Sequence, residues 1–301
     1  MKKLILLIVF GLCMDVVQAQ TDSLKQFMDS LEASFQYQHG EIAFENGIGN
    51  LNVRQGFRYL DSHQSRFVLE SLWGNPEDSS VMGMIVPESR GVMADNAWAF
   101  IITYEEMGYV KDDDADDIDY DELLEQMQND ATAENELREK AGYQPIQIVG
   151  WASEPFYDAD KKVLHWAKEI KFGEDEFNTL NYNVRILGRK GVLVLNAVAT
   201  MEALPEVQKA IDPVVGSFAY ADGAKYSDFD PELDEVAAWT IGGLVAGKVL
   251  AKAGIFAILL KYLKLIVVGI GALGAGIWKW WKRKTELPEV RNIGGDTKID
   301  Q

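Results

Sequence analysis

Apolar positions recur along this chain at two spacings, one helical and one of period two, and the switches between them mark out the elements. Leu24, Phe27, Met28, Leu31 and Phe35 keep helical spacing over residues 21–37, where Thr21 or Asp22 is placed to cap a short amphipathic helix. Residues 41–53 then alternate about Asn46-Gly47, a dipeptide suited to a tight hairpin turn. Asp61 caps a helix expected over 62–72, and Trp73-Gly74-Asn75-Pro76 stops it. Residues 81–86 and 98–104 read as two adjacent strands.

Farther on, Ile118, Leu123, Leu124 and Met127 return to helical spacing, and residues 131–141 give a second, very polar helix ended by Gly142 and Pro145. Segments 146–152, 162–172, 177–188 and 191–200 are β-type with short connections, the sequence form of an antiparallel meander. Residues 193–199 are apolar on both faces apart from Asn196, as a covered central strand would be. Leu204-Pro205 opens a short helix to Ile211, and residues 214–220 offer an edge strand.

If the turn at 173–176 sets Phe172 opposite Phe177, then Trp166 faces Asn183, Lys168 faces Asn181 and Leu164 faces Arg185. That register gathers Trp166, Lys168, Asn181, Asn183 and Arg185 on one face, with Arg185 able to stack diagonally on Trp166. Such a face serves either as a binding surface or as an ordinary solvated sheet face. His165 falls on the opposite face beside Val184, where a core histidine is expected.

The C-terminal part changes the picture. Residues 265–278 carry no charge, and the run 255–260 precedes them, so with Lys261 and Lys264 snorkelling one helix reaches the roughly 20 residues a bilayer needs. Trp278, Trp280 and Trp281 supply an interfacial belt, and Lys282, Arg283 and Lys284 place that end on the cytoplasmic side. At the other end, Lys2 and Lys3, the apolar stretch 4–12 and Val17-Gln18-Ala19 make a secretory signal peptide cleaved after Ala19. The single cysteine, Cys13, leaves with it. The resulting plan is a signal peptide (1–19), an exported α+β domain (20–222), a polar linker (223–235) and a membrane-proximal apolar helix (236–254). A transmembrane anchor (255–283) and a cytoplasmic tail (284–301) complete it. In fold class this is α+β, an antiparallel meander with helices ahead of a helical anchor in a bacterial inner membrane. Gly271 with Ala275, and Ala272 with Gly276, are small residues four apart that allow two such helices to approach closely. Gly269, Gly271 and Gly274 spell GxGxxG, but no strand precedes them, so no dinucleotide cofactor is inferred.

A formal net charge of -18 argues against nucleic acid or anionic lipid as the partner of the globular part, because phosphates would be repelled. The acidic run Asp112, Asp113, Asp114, Asp116, Asp117 and Asp119 is the densest concentration of that charge, and it is a candidate binding segment. It fails as a calcium loop, because a start at Asp112 puts Asp117 where glycine is required and Leu123 where the bidentate glutamate belongs. The alternative is that these acids cap a helix and favour its positive end. His39, His63 and His165 show no metal-ligand spacing, and no GxSxG elbow is present, so neither a metal nor a catalytic residue is assigned.

Two stretches, GYVKDDDADDIDYDELLEQM and LNYNVRILGRKGVLVLNAVATMEALPEV, together with WGNPED, MIVPES, IVGWASEPFYDAD and HWAKEIKFG, resemble a bacterial family of membrane-anchored proteins known only as a domain of unknown function. The resemblance spans roughly residues 40–282 and implies an exported domain on a C-terminal anchor, with no reaction or ligand to carry over. Three functions stay open: an envelope binding or interaction module, a hydrolase working with carboxylates alone, and a membrane-integrity or assembly factor acting through its C-terminal helices.

Overall fold

The computed structural model describes residues 25–94 and 96–247. The signal segment, the anchor expected at 255–283, the tail and the small-residue pairs at Gly271, Ala272, Ala275 and Gly276 lie outside the described residues. Among the described residues, no helix is long and apolar enough to cross a membrane.

The first helix, α1, is described over residues 25–34. Strands β1 (Gly40–Ala43) and β2 (Gly49–Val53) form the hairpin read about Asn46-Gly47, where Gly47 takes the left-handed backbone conformation (φ 72°) that the turn needs. β3 (Phe57–Asp61) leads into α2 (Ser62–Arg66), whose first turn is capped by the Asp61 carboxylate accepting the Gln64 N–H. The helix does not run on regularly to Leu72. It widens into a π-helical segment, Phe67–Leu72, closed by bonds from Trp73 N–H to the Val68 carbonyl and from Asn75 N–H to that of Leu69.

β4 (Gly83–Pro87) and β5 (Phe100–Glu105) are adjacent, and α3 (Tyr120–Lys140) follows. The break expected before residue 131 is absent. The polar stretch 128–134 continues as helix because its backbone runs on unbroken while Ala131 stays buried against the sheet and Gln128 bonds the Ile148 carbonyl.

β6 (Ile146–Asp158), β7 (Val163–Phe172), β8 (Thr179–Leu187) and β9 (Val192–Thr200) form the expected meander. Joined through β9 to β5, they make one seven-stranded antiparallel sheet in the order β3-β4-β5-β9-β8-β7-β6. β9 is therefore central, as its two apolar faces require. Helix α4 (Leu204–Val215) and the short strand β10 (Phe218–Tyr220) return the chain to the hairpin, so β1, β2 and β10 form a second, three-stranded sheet.

One face of the large sheet, carrying Phe100, Ile102, Tyr182, Val184, Leu193 and Leu195, packs on α4 and the small sheet to make the main core. His165 lies on this side, half-buried between Phe156 and the Tyr182 hydroxyl, with burial pushing its imidazole pKa down. At Gly49 a Cβ would sit 2.2 Å from the Ala219 carbonyl oxygen, inside the pairing of β2 with β10. Gly49→Ala is thus expected to cost about 1–3 kcal/mol through overpacking, read as a fall in melting temperature with the fold retained. An unchanged melting temperature would mean that β10 does not hold this register.

The opposite face is covered in two separate places. The π-helical segment covers Leu60, Met84, Val86 and Ala99 at the β3–β5 end, while α3 covers Leu164, Trp166, Val192 and Val194 toward the other.

Two readings of the C-terminal half are corrected. Residues 223–235 are polar in composition but do not hang free: Tyr226 and Phe229 stack on Tyr109 at 4.4 and 3.9 Å, and Asp234 accepts from Arg189 at 2.7 Å. The apolar stretch that follows begins inside the domain. α5 (Ile241–Ala246), capped by Thr240, buries Ile241, Leu244 and Val245 against α3 and ends at Gly247 in the left-handed conformation. Its hydrophobicity is satisfied by protein up to that point; residues 248–254 are outside the described part.

Candidate functional site

Between the two coverings the second face of the sheet is partly open, and the strand register sets which residues line up across it. Leu164, Arg185, Val194 and Thr103 stand in one cross-strand row; Trp166, Asn183, Asn196 and Ile101 stand in the next. Lys168, Asn181 and Val198 form a third. Trp166 faces Asn183, Lys168 faces Asn181 and Leu164 faces Arg185, the pairing derived from the turn at 173–176. The Arg185 guanidinium carbon lies 5.2 Å from the centre of the Trp166 ring, the diagonal stack expected of that register.

The three asparagines form a relay. Asn183 donates to the Asn181 side-chain oxygen at 2.7 Å, and Asn181 donates to that of Asn196 at 3.2 Å. Asn183 is buried, whereas Asn181 and Asn196 keep partial solvent contact. Such a ladder holds its side chains in fixed rotamers and leaves amide groups to offer upward.

Arg185 is the least ordinary member. Its side chain is part-buried, and the groove above admits solvent to it. Among the described residues its guanidinium has one hydrogen bond, from Nη1 to the neighbouring Val184 carbonyl at 3.2 Å, and no carboxylate within ion-pair distance. Burial pushes its pKa down to about 10, with only the charge of Glu105 opposing, so it stays cationic at neutral pH. Burial also lowers the Lys168 ammonium pKa, and the nearby Arg185 charge lowers it further; among the described residues no carboxylate pairs with this lysine, which lines neither half of the groove. The Trp166 Nε1–H is buried without an acceptor among the described residues. In a chain of net charge -18, Arg185 and Lys168 are two part-buried cations with no carboxylate in an ion pair among the described residues.

The groove over this floor has two halves that share Leu69, Asn75 and Ile101. The polar half, about 470 Å³, includes Asn183, Asn196 and Arg185, with Glu70, Glu77 and Asp78 on its wall. Glu70 is engaged by Arg66 at 2.9 Å, and Asp78 accepts from the Ser80 N–H and hydroxyl, so these two carboxylates are already occupied. The second half, about 530 Å³, is lined by Trp73, Phe177 and Val198 together with Ala94, Ala97 and Ile101. Phe177 and Val198 are 69% and 40% exposed, large apolar groups presented to solvent on one rim and on the floor.

The acidic run is not drawn together by the fold. Asp112 accepts from Lys162 at 2.8 Å, from Tyr157 at 2.7 Å and from Tyr226 at 3.0 Å. Burial works to raise its pKa, but these three donors outweigh it and the carboxyl is held below its usual range. Asp114 receives the Ile241 and Gly242 N–H groups, and Asp119 caps α3 by accepting from Asp121 and Glu122. Asp116 and Asp117 lie exposed in a short 3₁₀ turn beside Asp113. Among the described residues no group of three or more metal-ligating side chains is assembled.

The groove residues that sequence reasoning missed are Asn196, Thr103, Trp73, Phe177 and Val198. A lone asparagine in the apolar strand 193–199 was the one available signal. The others come together only through the β5–β9 pairing and the position of the π-helical segment.

Among solved structures the chain is similar to cyanobacterial PsbP (CyanoP) from Synechocystis, at 11% identity and a TM-score of 0.34 over 63% of this chain and 94% of that one. It is also similar to the Ran-binding protein Mog1p of Saccharomyces cerevisiae, at 11% identity and 0.35 over 65% and 100%. LpqN of Mycobacterium tuberculosis, involved in cell envelope biogenesis, follows at 13% identity and 0.31 over 62% and 92%. Similarities this distant carry no argument about ligand or activity. No curated protein matches the chain. A family pattern does match, over residues 36–274, and the chain belongs to that family, described as Protein of unknown function (DUF2167).

Proposed function

We propose that this is a binding module whose site is the groove over β8 and β9, and that it works outside the cytoplasm from a C-terminal membrane tether. The observation that carries the binding reading is Arg185, a part-buried guanidinium that lines the groove and has no carboxylate partner among the described residues. A part-buried cation with no counter-charge is available to an anionic group that enters the groove. The groups beside it are amides, which hold a ligand by hydrogen bonds and are neither bases nor nucleophiles at neutral pH. In this reading the ligand presents an anionic group to Arg185 and hydrogen-bonding atoms to Asn183 and Asn196, within a wall that also carries Glu70, Glu77 and Asp78. The tether rests on the uncharged run 265–278 and its basic flank, and the outward orientation on the signal segment 1–19.

Thermal unfolding of the full chain in acetate, phosphate or sulfate, against chloride at constant ionic strength, tests the binding reading. An anion that occupies the native groove raises the melting temperature in proportion to RT ln(1 + [L]/Kd), and the rise is absent from Arg185→Gln. Equal shifts in the two proteins would overturn it.

A further inference from the structure

The polar half of the groove carries charge of both signs, and that mixture describes its ligand further. Arg185 is the one cation in its lining, and Glu70, Glu77 and Asp78 are its carboxylates. Two of these already serve the protein. Glu70 accepts from Arg66 at 2.9 Å and from the Asp78 N–H at 3.2 Å, while Asp78 accepts from Ser80. The third, Glu77, is exposed and makes no hydrogen bond or ion pair with the described residues. Its neighbours hold it in place. Asn75 donates twice to the Leu69 carbonyl, Pro76 restricts the backbone next to it, and the Asp78 N–H is tied to Glu70. One space of about 470 Å³ thus keeps an unpaired carboxylate together with a guanidinium that has no carboxylate partner among the described residues. The neutral groups repeat the pattern. The relay through Asn181 uses the Asn183 amide nitrogen and the Asn196 amide oxygen, which leaves the Asn183 oxygen as an acceptor and the Asn196 nitrogen as a donor.

Resting on the binding reading above, we propose that the ligand is a zwitterion, a free α-amino acid with a large apolar side chain. Its carboxylate lies on Arg185 and the Asn196 amide nitrogen, and its ammonium on Glu77 and the Asn183 oxygen. An α-amino acid carries both charges on one carbon, as a single small space with both signs in its lining requires. A simple anion would leave Glu77 unanswered, and a simple cation would leave Arg185 so. The side chain enters the adjoining half of about 530 Å³, whose lining includes Trp73, Phe177 and Val198 and no charged group.

The test is calorimetric titration of the full protein at neutral pH and constant ionic strength with four probes: L-phenylalanine, N-acetyl-L-phenylalanine, L-phenylalaninamide and glycine. Phenylalanine is expected to bind tightest. Acetylation removes the ammonium and amidation the carboxylate, and each is expected to weaken binding about tenfold. Glycine, which lacks the apolar side chain, is expected to bind about tenfold more weakly or worse. In Glu77→Gln, a change at an exposed position, phenylalanine loses about two- to fivefold in affinity while N-acetylphenylalanine binds as it does to the parent protein. In Arg185→Gln, phenylalanine binds no better than its amide. N-acetylphenylalanine binding the parent as tightly as phenylalanine overturns the zwitterion and leaves the anion site standing. Equal losses for phenylalanine and N-acetylphenylalanine in Glu77→Gln also overturn it. No Arg185-dependent binding of any probe, acetate included, removes both readings.

Discussion

Replacing Arg185 by methionine is expected to raise the melting temperature of the protein and to abolish anion binding in the same molecule. Methionine keeps the length and much of the volume of the arginine stem, so contact with the Trp166 ring is retained in part. What it removes is a charge with no carboxylate partner among the described residues, held where burial has pushed its pKa down to about 10. Replacing buried ionic groups by apolar residues of similar volume is neutral or stabilising by about 1–4 kcal/mol. Loss of the cation–π contact takes back about 1 kcal/mol. A net gain of about 0–3 kcal/mol remains, at about 2–4 °C per kcal/mol for a domain of this size. The measurement is paired: thermal unfolding without ligand, and anion titration. A variant that is less stable and still binds would show that the guanidinium has a structural role and that the groove has another anchor.

The second large effect is expected at Asp112. Asp112→Ala leaves the Lys162 ammonium and the Tyr157 and Tyr226 hydroxyls without their acceptor, and loosens the attachment of residues 223–235 through Tyr226. The ion pair is a quarter to a third exposed and counts for little after solvent screening. Each hydroxyl bond to the carboxylate contributes about 1–2 kcal/mol, so the total loss is about 2–4 kcal/mol. The pH dependence follows from the depressed folded pKa. A carboxyl whose pKa is lower folded than unfolded contributes its full stability above the unfolded value, near pH 4, and loses it as pH falls through the folded value. The stability gap between Asp112→Asn and the parent protein should accordingly be constant above about pH 5 and close in acid. A gap that stays constant down to pH 2 would mean that the carboxylate charge plays no part.

The meander and the pairing of β7 with β8, which places Asn183 and Arg185 in the groove, could be read from the chain because both are set locally. A short turn between Phe172 and Phe177 fixes the register of β7 on β8, and period-two alternation then decides which residues share a face. The same logic gave the hairpin at Asn46-Gly47 and the cap at Asp61. What could not be read depended on contacts distant in sequence. Pairing of β5 with β9 joins segments almost a hundred residues apart, and it alone brings Thr103 and Ile101 beside Val194 and Asn196. Residues 223–235 look like a linker because their composition is polar, yet three aromatic rings and one arginine–aspartate pair dock them. The acid run looked like a site because its charge is dense. The fold instead gives Asp112, Asp114 and Asp119 separate structural partners, since helix starts and buried donors need carboxylates as much as ligands do.

The most direct measurement is made on the guanidinium itself. With ¹⁵N-labelled full-length protein, the Arg185 Nε–H resonance, assigned by its loss in Arg185→Lys, is followed while acetate or phosphate is titrated in at constant ionic strength. A saturable displacement of that resonance, with the other arginine Nε–H signals unmoved, is the predicted result. An Arg185 signal that stays still while ligand binds elsewhere, or moves only in step with every other arginine, would contradict it.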